Sequence, residues 1–458
     1  MEHQPPQFLI QSLFKVPAEH CGLFLARIDS YRYTEQMLDI KFIKENPDLI
    51  KEAVRKKRIN FNLDELLTLE EKRLEALSLV ESLRAEQNSV SDNVASEKDS
   101  GKRNELISRM RILKESLKEK EEKLKEVMQN WQTLMLRVPN VPDMSVPEGD
   151  SDAGNTEVRV WGEIPKFTFE PKSHTEIMQG LDLADFERGA KVAGFRGYFL
   201  KNEATSMSFG IWQIALENLI KDGFTPMIVP SLVRKENLYG SGYLPQGEED
   251  LYKTQDGEYL AGTGEVATMG YYMDEVVPVE KLPLKFVSFS PCFRREAGAH
   301  GKDVKGIFRV HEFFKLEQVI LCEASHEESV KYHELLTANA ENLLKQLEIP
   351  HHVVINCGAD LGLGQVKKYD IEVWTPSENK YRESHSSSYF HDFQTRRLNI
   401  RYKDKEGKMR FTHSLNNTLI ATPRIIAAIL ENNQQEDGSI RVPEVLQKYV
   451  GTKVISKK

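Results

Sequence analysis

The strongest constraint on this chain is a pair of apolar stripes between residues 63 and 134. Leu66, Leu69, Arg73, Ala76, Val80, Leu83, Gln87, Val90 and Val94 follow a three-four spacing, and Leu106, Met110, Leu113, Leu117, Lys120, Leu124, Val127, Trp131 and Leu134 repeat it. Such spacing turns one side of a helix toward one partner, so it predicts two long helices in coiled-coil contact. The break between them, ASEKDSGKRN, contains Ser100 and Gly101, which are expected to reverse the chain into an antiparallel hairpin. Helices of about 30 residues run about 45 Å, so the pair must project as an arm from any compact body.

Charge divides between the two stripes. Acidic residues dominate from Asp64 to Asp92, whereas lysine and arginine outnumber glutamate from Lys102 to Lys125. Two readings stand open. The faces pair with each other, or the second helix offers Arg103, Arg109, Arg111, Lys114 and Lys118 to phosphates. The net charge of -8 means that any nucleic-acid contact must be a local patch.

A chain of 458 residues with 40% hydrophobic content can hold more than one domain. The linker RVPNVPDMSVPEGDSDAGN separates the arm from a region of short strands and interleaved helices. Helices are expected over residues 206–221, 326–346 and 423–431. Strands are expected in GFTPMIVPSLV, in a hairpin over residues 285–321, and in HHVVINC, YDIEVWTP and RRLNIRYK. That pattern fits an antiparallel sheet flanked by helices, of the α+β class. The expected domains are residues 37–143 for the arm and its base and residues 144–458 for the body. Residues 1–36 precede Met37, whose MLDIKFIKENPDLI reads as a natural start, and they are an upstream start or an appended element of unknown role. Glu2, Glu19 and Asp29 count against a targeting peptide there. Cys21, Cys292, Cys322 and Cys357 form no CxxC pair, which suggests reduced thiols in the cytoplasm and no zinc site. No apolar run reaches membrane-spanning length, so no membrane partner is expected.

The hairpin FRREAGAHGKDVKGIFRVHEFFKLEQ, residues 293–318, raises a chemical question. With a period of two, Arg294 and Glu296 share a face of the outgoing strand, and Arg309, His311, Phe313, Lys315 and Glu317 share a face of the return strand. Phe308, Val310, Phe314, Leu316 and Ile320 are left for the core. One side therefore reads as core and the other as a charged site.

Four stretches then converge: TGEVA at 263–267, this hairpin, YRESHSSSYFHDFQTRR at 381–397 and HSLNNTLIATPRIIAAILEN at 413–432. Together with GFTPMIVP they resemble the three signature motifs of class II aminoacyl-tRNA synthetases, and with the arm they resemble the seryl-tRNA synthetases of bacterial type. The resemblance covers residues 37–449. The required chemistry agrees with the residues: a carboxylate must attack the α-phosphate of ATP, and fixed cations offset the repulsion of two anions.

The resemblance implies a catalytic set of Arg294, Glu296, Glu383 and Arg424. Arg294 would meet the α-phosphate and the serine carboxylate, Glu296 the adenine amino group, Arg309 the γ-phosphate and Val310 the base through its main chain. Phe313 and Arg424 would cover the two adenine faces. Arg295, Ser384 and His385 complete the implied ATP set, with Glu383 and Ser386 as ligands for Mg2+ brought in with ATP. Thr263, Gly264, Glu265, Glu317, Asn416 and Thr418 would join Arg294 in the serine pocket. Taken singly, Glu265 or Glu317 reads as an ordinary carboxylate, Arg294 as an ion-pair partner and Thr418 as a helix cap. His300, His311, His385 and His391 border site strands as structural or substrate-adjacent groups, since amino-acid activation needs no histidine base.

The sequence departs from the family pattern at ESHSSSY, with His385 and Tyr389, and at NNTL, with Asn417 and Leu419, whose bulk bears on the pocket wall; the departures read as a lineage variant, because every charged contact position is still occupied by a suitable residue. The implied function is ATP-dependent activation of L-serine and its transfer to tRNA-Ser, and to tRNA-Sec where the organism has one, by a homodimer. A relative that delivers seryl-adenylate to a carrier protein should lack the arm, and a noncatalytic tRNA-binding module should lack one of the four catalytic residues. A lysyl or prolyl specificity would not explain the arm with the Thr-x-Glu pocket.

Overall fold

The computed structural model describes residues 39–298, 303 and 305–457. The upstream segment 1–36 and His300 lie outside them. Helices α1 (Ile40–Glu45) and α2 (Pro47–Lys56) lead into the arm helices α3 (Leu63–Ser96) and α4 (Ser100–Met135). With 34 and 36 residues, α3 and α4 are each about 50 Å long. Along most of that length only a narrow seam is buried, at positions such as Val80, Val90, Leu113 and Leu117. A compact cluster forms only at the base, where Ile43, Ile50, Leu63, Leu66, Trp131 and Met135 pack together.

The reversal is tighter than expected. Ser100 and Gly101 belong to the first turn of α4, and the chain turns at residues 97–99 instead. Asp99 caps α4 by accepting from the Lys102 N–H, and the Glu97 carboxylate accepts from the Asp99 N–H. Side-chain caps thus replace the glycine flexibility that the sequence suggested.

The body is built on an eight-stranded sheet. Its strands are β1 (Thr156–Trp161), β2 (Thr225–Ile228), β3 (Leu284–Phe293), β4 (Glu312–Cys322), β5 (His351–Ile355), β6 (Lys367–Thr375), β7 (Lys380–His391) and β8 (His413–Ala421). They run in the order β1-β5-β6-β7-β8-β4-β3-β2, and every pair is antiparallel except β2 with β3. Helices α5 (Asn202–Lys221), α6 (Gly264–Gly270), α7 (His326–Gln346) and α8 (Thr422–Asn432) complete the elements needed here. The side chains of α5, α7 and α8 fill the core against one face of the sheet, among them Met207, Ile211, Leu336, Leu343, Ile425 and Ile429.

Three expectations need correction. RRLNIRYK begins in a short helix, Phe393–Arg397, and only Arg401–Lys403 is strand, paired in a separate small sheet. Arg294 and Glu296 lie beyond the end of β3, and Arg309 and His311 precede β4, so strand parity does not govern them. Phe314 is exposed and stacks on Phe289, with ring centroids 5.5 Å apart, outside the core.

Candidate active site

The open face of the central strands forms the floor of a cleft of about 470 Å3. Two β-bulges decide which side chains reach it. Between β6 and β7 the register shifts so that His385 faces Ile371 but Glu383 faces Glu372, leaving Ser384 as the extra residue. Glu383 consequently joins Ser386, Ser388 and Phe390 in the cleft. On an unbroken strand, residues 383 and 386 would point to opposite faces. Between β4 and β8, Leu316 pairs with Ile420 and Glu317 with Thr418, so Leu419 is the extra residue. Asn416, Thr418 and Ala421 face the cleft, and Arg424 follows in the first turn of α8.

One end of the cleft is cationic and aromatic. The Arg294 Nε–H donates to the Gly262 carbonyl at 3.2 Å, and its guanidinium lies 5.4 Å from the centre of the Phe313 ring. Arg309 pairs with Glu296 and lies 3.5 Å from Asp303. Arg424 donates to the Glu383 carbonyl at 3.0 Å, sits 3.3 Å from its carboxylate and covers Phe308 at 5.0 Å. Burial pushes the Glu383 carboxyl up, but Arg424, Lys368 and Arg294 outweigh it and hold the group below the usual carboxylate range. Three cations around an aromatic slot suit a polyphosphate attached to a flat base.

The other end holds buried carboxylates. Glu265 and Glu317 are almost completely buried, and Lys315 pairs with Glu317. Glu265 is held by neutral donors, accepting from the Tyr243 hydroxyl at 2.9 Å and from the Gln394 amide at 2.6 Å. Burial and the nearby Glu317 raise the Glu265 carboxyl to about 7, against the opposing pull of Gln394, Tyr243 and Lys315. Two carboxylates sharing one lysine leave this end short of a cation. An ammonium group carried by a ligand would complete it.

Most of the residues expected at the site meet there. Glu265, Arg294, Glu296, Arg309, Val310, Phe313, Glu317, Glu383, Ser384, Ser386, Asn416, Thr418 and Arg424 all line the cleft. Thr263, Gly264, Arg295 and His385 do not. Thr263 is buried and caps α6 by accepting from the Glu265 N–H, so it orients the neighbouring carboxylate. Gly264 allows α6 to approach β3, since a Cβ there would meet the Ser288 hydroxyl at 2.7 Å. Arg295 is exposed. His385 is buried on the far face, 3.1 Å from the Leu419 carbonyl.

The departures from the family pattern share that far face. Tyr389 is fully buried and donates to Asp143 at 2.8 Å, Asn417 accepts from Gln318 at 2.7 Å, and Leu419 packs in the core. None of them lines the cleft, so their bulk does not alter its wall.

Sequence reasoning placed Lys315 on the charged face but gave it no role. It missed Phe308, Tyr243, Ser388 and residues 362–365, all of which line the cleft, as well as Gln394 behind Glu265. Parity could have raised the status of Lys315. Nothing local marks the others, which reach the site only through tertiary packing.

The cations of the arm behave in two ways. Arg109 is paired with Glu86 across the seam at 2.5 Å, as Arg84 is with Glu121 at 2.6 Å. Arg103, Arg111, Lys114 and Lys118 are exposed, and among the described residues no carboxylate lies within ion-pair distance of them. Also among the described residues, no group of three or more His, Cys, Asp and Glu side chains could hold a metal ion, and no helix is long and apolar enough to cross a membrane.

Comparison with known proteins adds independent findings. Residues 37–142 match the profile of the seryl-tRNA synthetase N-terminal domain, and residues 252–433 match that of the tRNA synthetase class II core domain (G, H, P, S and T). A serine--tRNA ligase of Deinococcus radiodurans is 46% identical over 91% of this chain and 98% of its own. The seryl-tRNA synthetase of Pyrococcus horikoshii, solved with ATP, superposes with a TM-score of 0.84 at 40% identity, over 92% of this chain and 100% of the other. The cytoplasmic serine-tRNA ligase of Naegleria fowleri, solved with AMP, gives a TM-score of 0.79 at 32% identity, over 93% and 100%.

Proposed function

This chain belongs to the seryl-tRNA synthetase family, and we propose from that premise how its own residues carry out the reaction. It is a serine--tRNA ligase, a class II synthetase that activates serine with ATP and passes it to tRNA-Ser. The observation that carries the residue assignment is the division of one cleft into a cationic aromatic end and an end where two buried carboxylates share one lysine.

In the first step the serine carboxylate attacks the α-phosphorus, and pyrophosphate leaves. Arg294, at the cationic end, draws both anions together and stabilises the charge that builds at phosphorus. Arg309 and Arg424 hold the outer phosphates and the base, with Phe313 as the stacking surface. Glu265 and Glu317 take the serine ammonium, while Thr418 and Asn416 meet the hydroxyl. A pocket that hydrogen-bonds a hydroxyl strongly rejects alanine, because its buried polar groups would be left unpaired. Glu383 and the Ser386 hydroxyl fit Mg2+ bound mainly through ATP, since that ion commonly uses one or two carboxylates together with substrate phosphates. When bound, the ion would neutralise phosphate charge as pyrophosphate departs.

The unpaired cations of α4 grip the backbone of tRNA-Ser by shape and charge, and a tRNA-Sec with the same long variable arm is accepted on the same terms. A homodimer is supported by an apolar groove where Phe195, Phe199 and Phe209 are exposed, close to the edge strand β2 with its exposed Ile228. In it the arm of one subunit serves the site of the other. The buried free thiols Cys292, Cys322 and Cys357 suit a reducing cytoplasm.

The test is pyrophosphate exchange into ATP without tRNA, run with serine, threonine, alanine and cysteine. Exchange with serine alone is expected. Equal exchange with alanine would sink the assignment of Thr418 and Asn416, and no exchange with any of the four would sink the activity.

A further inference from the structure

A lysine stands where the serine ammonium is expected to bind. Lys315 lines the cleft, is 4% exposed, and pairs with Glu317, which is 3% exposed. Among the described residues this is the one ion pair that either group makes. The Glu317 Oε2 atom is buried and accepts no hydrogen bond of good geometry, so Lys315 holds it by charge rather than by an aligned donor. Glu265 is held differently, by the Tyr243 hydroxyl and the Gln394 amide. With no neutral donor on that oxygen, Glu317 can release Lys315 only to another cation, because a buried charge left alone is strongly unfavourable.

The position of Lys315 gives the released lysine somewhere to go. Phe313, Lys315 and Glu317 share one face of β4, whose register with β3 is unbroken, and so follow one another at about 7 Å intervals. Phe313 belongs to the nucleotide end, where the Arg294 guanidinium lies 5.4 Å from its ring centre. Glu317 belongs to the amino-acid end. Lys315 is between them, and its flexible four-carbon stem lets the ammonium lean toward either. The three charged groups also surround one buried thiol: burial pushes Cys292 up, Lys315 and Arg294 pull against it, and Glu317 adds to the rise. The carboxylate of a bound serine must lie in the same interval, since its ammonium stays at Glu265 and Glu317 while the carboxylate reaches the α-phosphate beside Arg294.

Charge balance then favours an exchange. Were Lys315 to stay on Glu317, the two anions that must meet, carboxylate and α-phosphate, would share Arg294 alone. If the serine ammonium takes over Glu317, Lys315 is free for the carboxylate and Arg294 for the phosphate. Every buried charge keeps a partner throughout.

We propose that Lys315 is a further substrate-binding residue that works by exchange of ion pairs: the serine ammonium displaces it from Glu317, and the freed lysine ammonium turns to the serine carboxylate. The pocket thereby reads both ends of the zwitterion at once. An amine that lacks a carboxylate must displace Lys315 and offers it nothing in return. This inference rests on the serine--tRNA ligase reading of the cleft.

The test uses ethanolamine, which carries the ammonium and hydroxyl of serine without the carboxylate. Full-length enzyme and its Lys315→Met variant are compared in pyrophosphate exchange, with serine as substrate and ethanolamine as competitor, at a pH above the Glu265 value of about 7. In the variant, kcat/KM for serine is expected to fall by roughly tenfold or more, as for other lost charged contacts. Ethanolamine is expected to bind about fivefold more tightly or better, because no resident cation has to leave Glu317 first. A lysine that merely holds the pocket together would move both ligands the same way. Ethanolamine weakened or unchanged, or serine kinetics unchanged, would overturn the proposal. Should Lys315→Met fail to fold, Lys315→Gln carries the same comparison with a neutral donor in place of the charge. Absence of serine exchange in the unmodified enzyme would instead defeat the functional reading, so the two failures are told apart.

Discussion

The arm and the cleft use charge in opposite ways. On α4, Arg103, Arg111, Lys114 and Lys118 stand in solvent, each independent of the others, on a helix held by a narrow seam. In the cleft, Arg294, Glu265, Lys315 and Glu317 are largely buried and each is fixed by named partners. Exposed charges act additively and through screened fields, whereas buried ones act by position. The arm should therefore tolerate single changes and respond to salt, while the cleft should fail at single atoms.

The largest effect should come from crossing the two regions. Arg294→Ala is expected to lower serine-dependent exchange by about 10²–10³-fold, the usual cost of removing a fixed transition-state donor, while tRNA binding measured by filter retention survives. Deleting residues 91–105 at the arm tip should do the reverse, raising KM for tRNA and sparing exchange. Equal loss of both steps in either variant would end the separation of roles.

A smaller effect concerns protons. The Glu265 carboxyl is raised to about 7, so it is charged above that pH and neutral below it. The serine ammonium prefers the charged form, so KM for serine in exchange should rise as pH falls through about 7. Glu265→Gln should show a higher KM, by roughly tenfold for a lost charged hydrogen bond, with this pH dependence removed. The arm should show no counterpart. A wild-type KM that is flat from pH 8 to 6 would count against Glu265 as the ammonium partner.

The smallest effects belong to the arm's single cations. Arg111→Ala should weaken tRNA binding by about two- to threefold at physiological salt and lower the salt slope by about one phosphate contact. Arg109→Ala should do less, because Glu86 already holds that side chain at 2.5 Å. Titrating binding against salt for both variants checks the order. A larger effect from Arg109 would mean that the ion pair opens on tRNA and that the seam contributes to recognition.

The three-four spacing of α3 and α4 was legible in the sequence because a coiled coil is local: each turn buries the same stripe against one neighbour. The turn between them was misread, since capping by Asp99 and Glu97 can replace glycine without leaving a compositional mark. In the body, the order of the motifs was enough to bring Arg294, Glu317, Glu383, Thr418 and Arg424 to one cleft. The bulges at Ser384 and Leu419 were not legible, and they decide which neighbours join the site. His385, Tyr389, Asn417 and Leu419 face the core by plain alternation with Ser386 and Ser388 and with Asn416 and Thr418, which agrees with reading these departures as a variant that leaves the contact positions intact.

Periodicity and motif order by themselves determined the arm, the α+β body and most of the residue types that meet in the cleft. Both are carried by neighbours along the chain. Tertiary structure alone decided that Lys57, more than 300 residues away in sequence, holds the carbonyls of residues 362, 363 and 365, and that Tyr243 and Gln394 hold Glu265. A backbone carbonyl carries no sequence signal of its own, and a buried partner is known only once the chain has brought it within about 3 Å.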